Sequence, residues 1–128
     1  MFMPRNEVQR VVEQAIRERK VLTIAYQHVA LDGNVVTRRQ APFDIGTTNP
    51  KTSFQNRDNL YMFCYDHVDP KTGLHKPMVH AININHVASL SILEEVFNPA
   101  ELMDIHMRNT GFNYRTWRWA ILPNRDWR

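Results

Sequence analysis

The chain has 128 residues, 43% of them hydrophobic and 23% charged, which is one domain's worth of ordinary globular sequence. No apolar run approaches the roughly 18 residues of a membrane span. The first residues lack a signal peptide's apolar core, and the single cysteine, Cys64, excludes an internal disulfide and a cysteine-built zinc site. A cytoplasmic protein with no membrane partner is therefore expected.

The net charge of +3 is uneven, because residues 105–128 hold five arginines and one aspartate. The basic character belongs to the tail, and a local arginine cluster is better evidence for an anionic partner than a high pI alone.

In chain order, the first element is a helix over residues 6–19. Asn6 is placed to cap it, with Gln9 three residues on, as in a capping box. Val8, Val11, Val12, Ala15 and Ile16 form one apolar stripe that covers an opening of the core. Residues 21–29 change period: Leu22, Ile24, Tyr26 and His28 alternate with Val21, Thr23, Ala25 and Gln27, as a strand requires. Asp32-Gly33 is a hairpin turn signal, and residues 34–41 make the return strand. Pro42 stops that strand or places it at an edge, and Phe43-Asp44-Ile45 begins another.

Residues 46–59 read as a polar loop, and residues 60–66 form the most apolar strand. A turn at residues 69–73 leads to two further strands, Met78 to Asn85 and Val87 to Leu93, or to one long bent strand. Asn98-Pro99-Ala100-Glu101 starts a second helix, with cap, proline and glutamate in the expected order, and Gly111 ends it. The predicted fold is mainly β with flanking helices: a small five-stranded β-barrel, an N-terminal helix, a C-terminal helix and an aromatic tail.

The search for catalytic constellations finds little. Cys64 lies inside an apolar strand and reads as an inert thiol. The four glycines do not form a phosphate loop. His80 and His86 share a face only if the strand between them is unbroken, so a metal site is not favoured. Glu94 and Glu95 are adjacent and point to opposite sides. No enzyme activity, metal or cofactor is expected. What remains is a polar set on β segments: Tyr26, Arg38, Arg39, Tyr61, His80, Asn83, Asn85 and His86. On one face they could hold a phosphate or a base edge; a solvated outer face explains them equally well.

Residues 14–97 resemble the WYL domain, a family of bacterial and archaeal sensor domains. The resemblance rests on Ala15-Ile16 at a helix end, Leu22-Thr23-Ile24-Ala25-Tyr26, Arg38 followed by Pro42, and Leu60-Tyr61-Met62 in place of Trp-Tyr-Leu. Ile82-Asn83-Ile84-Asn85-His86-Val87 stands where an arginine-rich strand would be, and Phe97 closes the match. The resemblance implies an Sm-like barrel over residues 1–97 and a ligand-sensing role. The ligand it implies is a nucleotide or single-stranded nucleic acid, held by Tyr26, Arg38, Arg39, Tyr61, His80, Asn83 and His86. Asn83, His86 and His80 replace arginines of the family pattern, so Arg38, with Arg39, carries the positive charge. It further implies a role in transcription regulation, DNA-damage response or phage defence, beside a DNA-binding, helicase or nuclease partner protein.

Residues 98–128 form a separate helix and basic aromatic extension. Arg115, Trp117, Arg118 and Trp119 are placed for a homodimer contact, which is favoured, or for stacking on exposed bases. The competing expectation for the whole chain is a structural module that mediates protein–protein or homodimer contacts.

Overall fold

The computed structural model describes residues 2–28, 33–46, 61–66 and 79–101. Its elements are α1 (Arg5–Glu18), β1 (Lys20–Gln27), β2 (Val35–Gly46), β3 (Tyr61–Asp66), β4 (Val79–Asn83), a 3-10 turn η1 (Ile84–His86) and β5 (Val87–Val96). The C-terminal helix begins at residue 99, where the Asn98 side chain accepts a hydrogen bond from Ala100 N–H at 3.0 Å, as the capping pattern requires. The rest of that helix and the aromatic tail lie outside the described residues.

The start of α1 corrects one expectation. Pro4, not Asn6, is the N-cap, and no side chain caps the helix. The Pro4 carbonyl accepts from both Glu7 N–H and Val8 N–H, each at 3.1 Å. Proline's fixed φ leads into the helix and places Asn6 inside the first turn. At the other end Arg19 adopts a left-handed conformation, φ 56, and donates its N–H to Ile16 at 3.2 Å. That conformation is unfavourable for a residue with a side chain. It turns the chain directly into β1, and the Arg19 carbonyl then accepts from Phe97 N–H at 2.9 Å.

Of the five residues in the apolar stripe three are fully buried, while Val11 and Ile16 are half-buried. Val8, Val12 and Ala15 are buried against Leu22, Ile24 and Tyr26 of β1, Ile45 of β2, Met62 and Cys64 of β3, Ile82 of β4, and Ile84 and Val87 beyond it. The helix thus covers the sheet's core face.

The sheet is antiparallel, with strand order β4-β3-β2-β1-β5. Neighbours in sequence pair along the first four strands, and β5 returns to pair with β1. Pro42 does not end its strand, and it lies beyond the last β1 pair, Leu22 with Gln40. β2 runs through it to Gly46, Pro42 pairs with Cys64 of β3, and a bulge follows between Pro42 and Asp44. Asp44, 1% exposed, accepts a 2.9 Å hydrogen bond from Ile45 N–H at this bulge.

The edge strands β4 and β5 are joined by η1 alone. A flat sheet of five strands would hold its edges about 19 Å apart, given about 4.8 Å between neighbours. From Asn83 to Val87 the chain can span at most about 14 Å. The sheet therefore curls so that its edges approach at this end. No ladder joins β4 to β5 among the described residues, so the expected closed barrel is, in its hydrogen bonding, a curled open sheet.

Candidate functional site

Strand alternation assigns each site residue to a face. Residues opposite one another in an antiparallel ladder project to the same side. Arg38 lies opposite Ile24, Tyr26 opposite Val36, and Leu22 opposite Gln40. Since Leu22, Ile24 and Tyr26 line the core, Arg38 belongs to the core face, between Val36 and the fully buried Gln40 on its own strand. Leu90 of β5, opposite Ile24, extends the same row. Arg38 is half-buried there.

Arg39 projects to the other side, opposite Thr23, which pairs in turn with Ser91. Its guanidinium donates to the Glu95 carboxylate and forms an ion pair that reaches across β1 to β5. No described carboxylate pairs with Arg38, whereas Arg39 is neutralised.

The remaining residues divide in the same way. His80 lies opposite Cys64, on the core-face side, and Cys64 lies opposite Pro42. The Cys64 thiol donates to the His80 carbonyl at 3.7 Å, which fits a buried, inert thiol. Measured along the sheet, His80 is two strands and four residues from Arg38, about 16 Å. Tyr61 lies opposite Asn83, on the other face. The Asn83 side chain accepts from Asn85 N–H at 3.0 Å and starts η1. His86 sits in η1, which interrupts the strand after His80, and its ring centroid is 5.5 Å from that of Phe2.

The structure therefore brings Tyr26 and Arg38 together on neighbouring strands of one face. It sets His80 farther along that face and places Arg39, Tyr61, Asn83 and His86 elsewhere. One neighbour was absent from the expected set. His28 stacks on Tyr26, with ring centroids 5.9 Å apart and planes at 28°. The alternation Leu22, Ile24, Tyr26, His28 already carried that signal. Arg115, Trp117, Arg118 and Trp119 lie outside the described residues. Among the described residues no cluster of His, Cys, Asp and Glu could hold a metal ion, and no helix is long and apolar enough to cross a membrane.

No family model matches the chain, and no curated protein matches it. Among solved structures, proteasome accessory factor B/C (PafBC) of Arthrobacter aurescens is similar over 75% of this chain, with 19% sequence identity and a TM-score of 0.53. The match spans 12% of the PafBC chain. PafBC contains a WYL domain, so the likeness agrees with the sequence resemblance at the level of fold.

Proposed function

We propose that this chain is a non-enzymatic sensor module of the WYL type, which binds a nucleotide or a short single strand through Arg38 and serves a regulatory role. The observation that carries this reading is the contrast between two adjacent arginines. Arg39 has a carboxylate partner, while Arg38 stands half-buried on the core face with no described ion pair. Partial burial strips water from a guanidinium and raises the value of any anion that meets it. The regulatory part rests on the resemblance and on the fold likeness to PafBC. In this reading the curled sheet is an Sm-like barrel with its seam between β4 and β5, and the signal passes to a DNA-binding, helicase or nuclease partner.

The test is ligand-dependent stabilisation of the full chain by AMP and by a short oligothymidylate, since a ligand that binds only the folded state raises the midpoint by mass action. Wild type and Arg39→Gln are expected to be stabilised, and Arg38→Gln to lose the effect. A charge-assisted hydrogen bond is worth about 1.5–3 kcal/mol. Equal stabilisation of both variants would remove Arg38 from the site, and none in any of the three proteins would remove the function.

A further inference from the structure

The core face carries two polar atoms that the fold leaves unused. Gln40 lies opposite Leu22, two residues beyond Arg38 on the same side of β2, and is fully buried. His80 lies opposite Cys64, which in turn lies opposite Pro42, so it belongs to that side as well. Both residues make other interactions. Two of their atoms do not: Gln40 Oε1 and His80 Nε2 are buried with no hydrogen-bond partner among the described residues. Native proteins leave few such atoms, because each gives up its bonds to water and gains none in return. Two of them on the face that holds Arg38 point to a polar occupant there.

The order along the face is Arg38, Gln40, then the row of Pro42, Cys64 and His80. The Cα atoms of Arg38 and Gln40 are about 7 Å apart, and those of Gln40 and His80 would be about 12 Å apart on a flat sheet. The curl of the sheet around its core brings these side chains closer. Arg38 and His80 are half-buried, whereas Gln40 is fully buried. The floor of this polar patch is therefore a carbonyl, which only accepts, and its rim is a cation and an imidazole.

From this we infer that Gln40 is a specificity-determining residue of the Arg38 site: Arg38 takes the phosphate of a ribonucleotide, and Gln40 Oε1 accepts a hydrogen bond from its 2′-hydroxyl. The inference rests on the proposed anion site and adds that the site separates ribonucleotides from deoxyribonucleotides. The donors nearest a nucleotide's phosphate are the hydroxyls of its sugar, which matches the short step from Arg38 to Gln40. Gln40 is reached past the Arg38 side chain, a long, rotatable group that moves aside as it turns to the anion. Binding gives the carbonyl the partner that the fold withholds, and a deoxy sugar leaves it buried and unpaired. A site built to bond a hydroxyl rejects the analogue that lacks it for this reason, and the 2′-hydroxyl is the group by which a protein tells RNA from DNA. His80 Nε2 offers the sugar a second polar contact.

The experiment compares AMP with deoxy-AMP by titration calorimetry on wild type, Arg38→Gln and Gln40→Met. Methionine keeps the length of the side chain and removes the acceptor. Wild type is expected to bind AMP about tenfold more tightly than deoxy-AMP. Gln40→Met should bring AMP down to the level of deoxy-AMP and leave deoxy-AMP affinity unchanged. Arg38→Gln should weaken both ligands. If wild type binds the two equally, as it would were a buried water to meet the carbonyl, the inference falls and the anion site stands. The same follows if Gln40→Met keeps the preference. If wild type binds neither ligand, both fall. Circular dichroism of each variant guards against loss of fold, and the wild-type comparison is decisive if Gln40→Met is unfolded.

Discussion

The two faces of the β1–β2 ladder handle the same residue type in opposite ways. On one face Arg39 meets Glu95 across the intervening strand, beside Thr23 and Ser91. On the other, Arg38 lies opposite the buried Ile24, with Leu90 beyond it. The backbone reverses side-chain direction at every residue, so one step along β2 moves a guanidinium from a polar, self-neutralised row to an apolar one. A cation's neighbours, more than its presence in a basic segment, decide whether it is available to a ligand.

The largest effect should come from attacking the apolar face itself. Ile24→Ala removes a fully buried side chain and is expected to cost about 2–5 kcal/mol in urea unfolding. Thr23→Ala, one residue away and half-buried on the other face, should cost less than about 1 kcal/mol. Equal losses would mean that the two faces do not differ as described.

Next in size is Arg38→Leu. It replaces a half-buried cation with a group that suits its neighbours Ile24 and Leu90. Stability should hold or rise, while AMP binding weakens by about 1.5–3 kcal/mol. A marked destabilisation would instead assign Arg38 a structural role.

Glu95→Gln tests the neutralised arginine. Both partners of its ion pair are about a third exposed, 34% for Glu95 and 32% for Arg39. The expected loss is therefore about 0.2–1 kcal/mol, and it should shrink in high salt. A loss that does not change with salt would show that the side chain acts through packing.

The smallest effect is local to α1. A hydrogen bond from Gln14 holds the Glu18 carboxyl below its usual range, with help from Lys20 and Arg17 and against a desolvation penalty. Because the folded value is the lower one, the contribution is present above the unfolded value and is lost as pH falls through the folded one. An NMR titration should place the Glu18 midpoint below that of an unperturbed glutamate, and Gln14→Ala should move it upward. An unmoved midpoint would assign the shift to the neighbouring cations.

Much of this arrangement was legible from residue order. Alternation placed Leu22, Ile24 and Tyr26 on one side, and the same count separates Arg38 from Arg39 without any structure. The spacing of Val8, Val12 and Ala15 gave the helix face that covers the sheet. What order could not show was pairing between distant segments. That Arg39 finds Glu95 depends on β5 returning to β1, which no local pattern encodes. That β2 runs on through Pro42 depends on its pairing with Cys64 of β3 and on the bulge that follows, neither of which local order shows. Asn83 looked like a pocket residue, but its side chain is engaged with Asn85 N–H at the start of η1. His28 is absent from the expected polar set, although its period matches that of Tyr26.

The return of β5 to β1 also bears on how the protein is made. β1 to β4 can pair in the order in which they leave the ribosome, each with the strand synthesised before it. One side of β1 has no partner until residues 87–96 emerge, and the pair Lys20 and Val96 joins almost the whole sheet-forming length. Such distant pairings form late, because the entropy of closing the intervening chain must be met first. During that interval the nascent chain displays an open edge on β1, the strand that carries Leu22, Ile24 and Tyr26. Translation pauses before residue 87 should therefore expose the chain to chaperone capture more than pauses after residue 96.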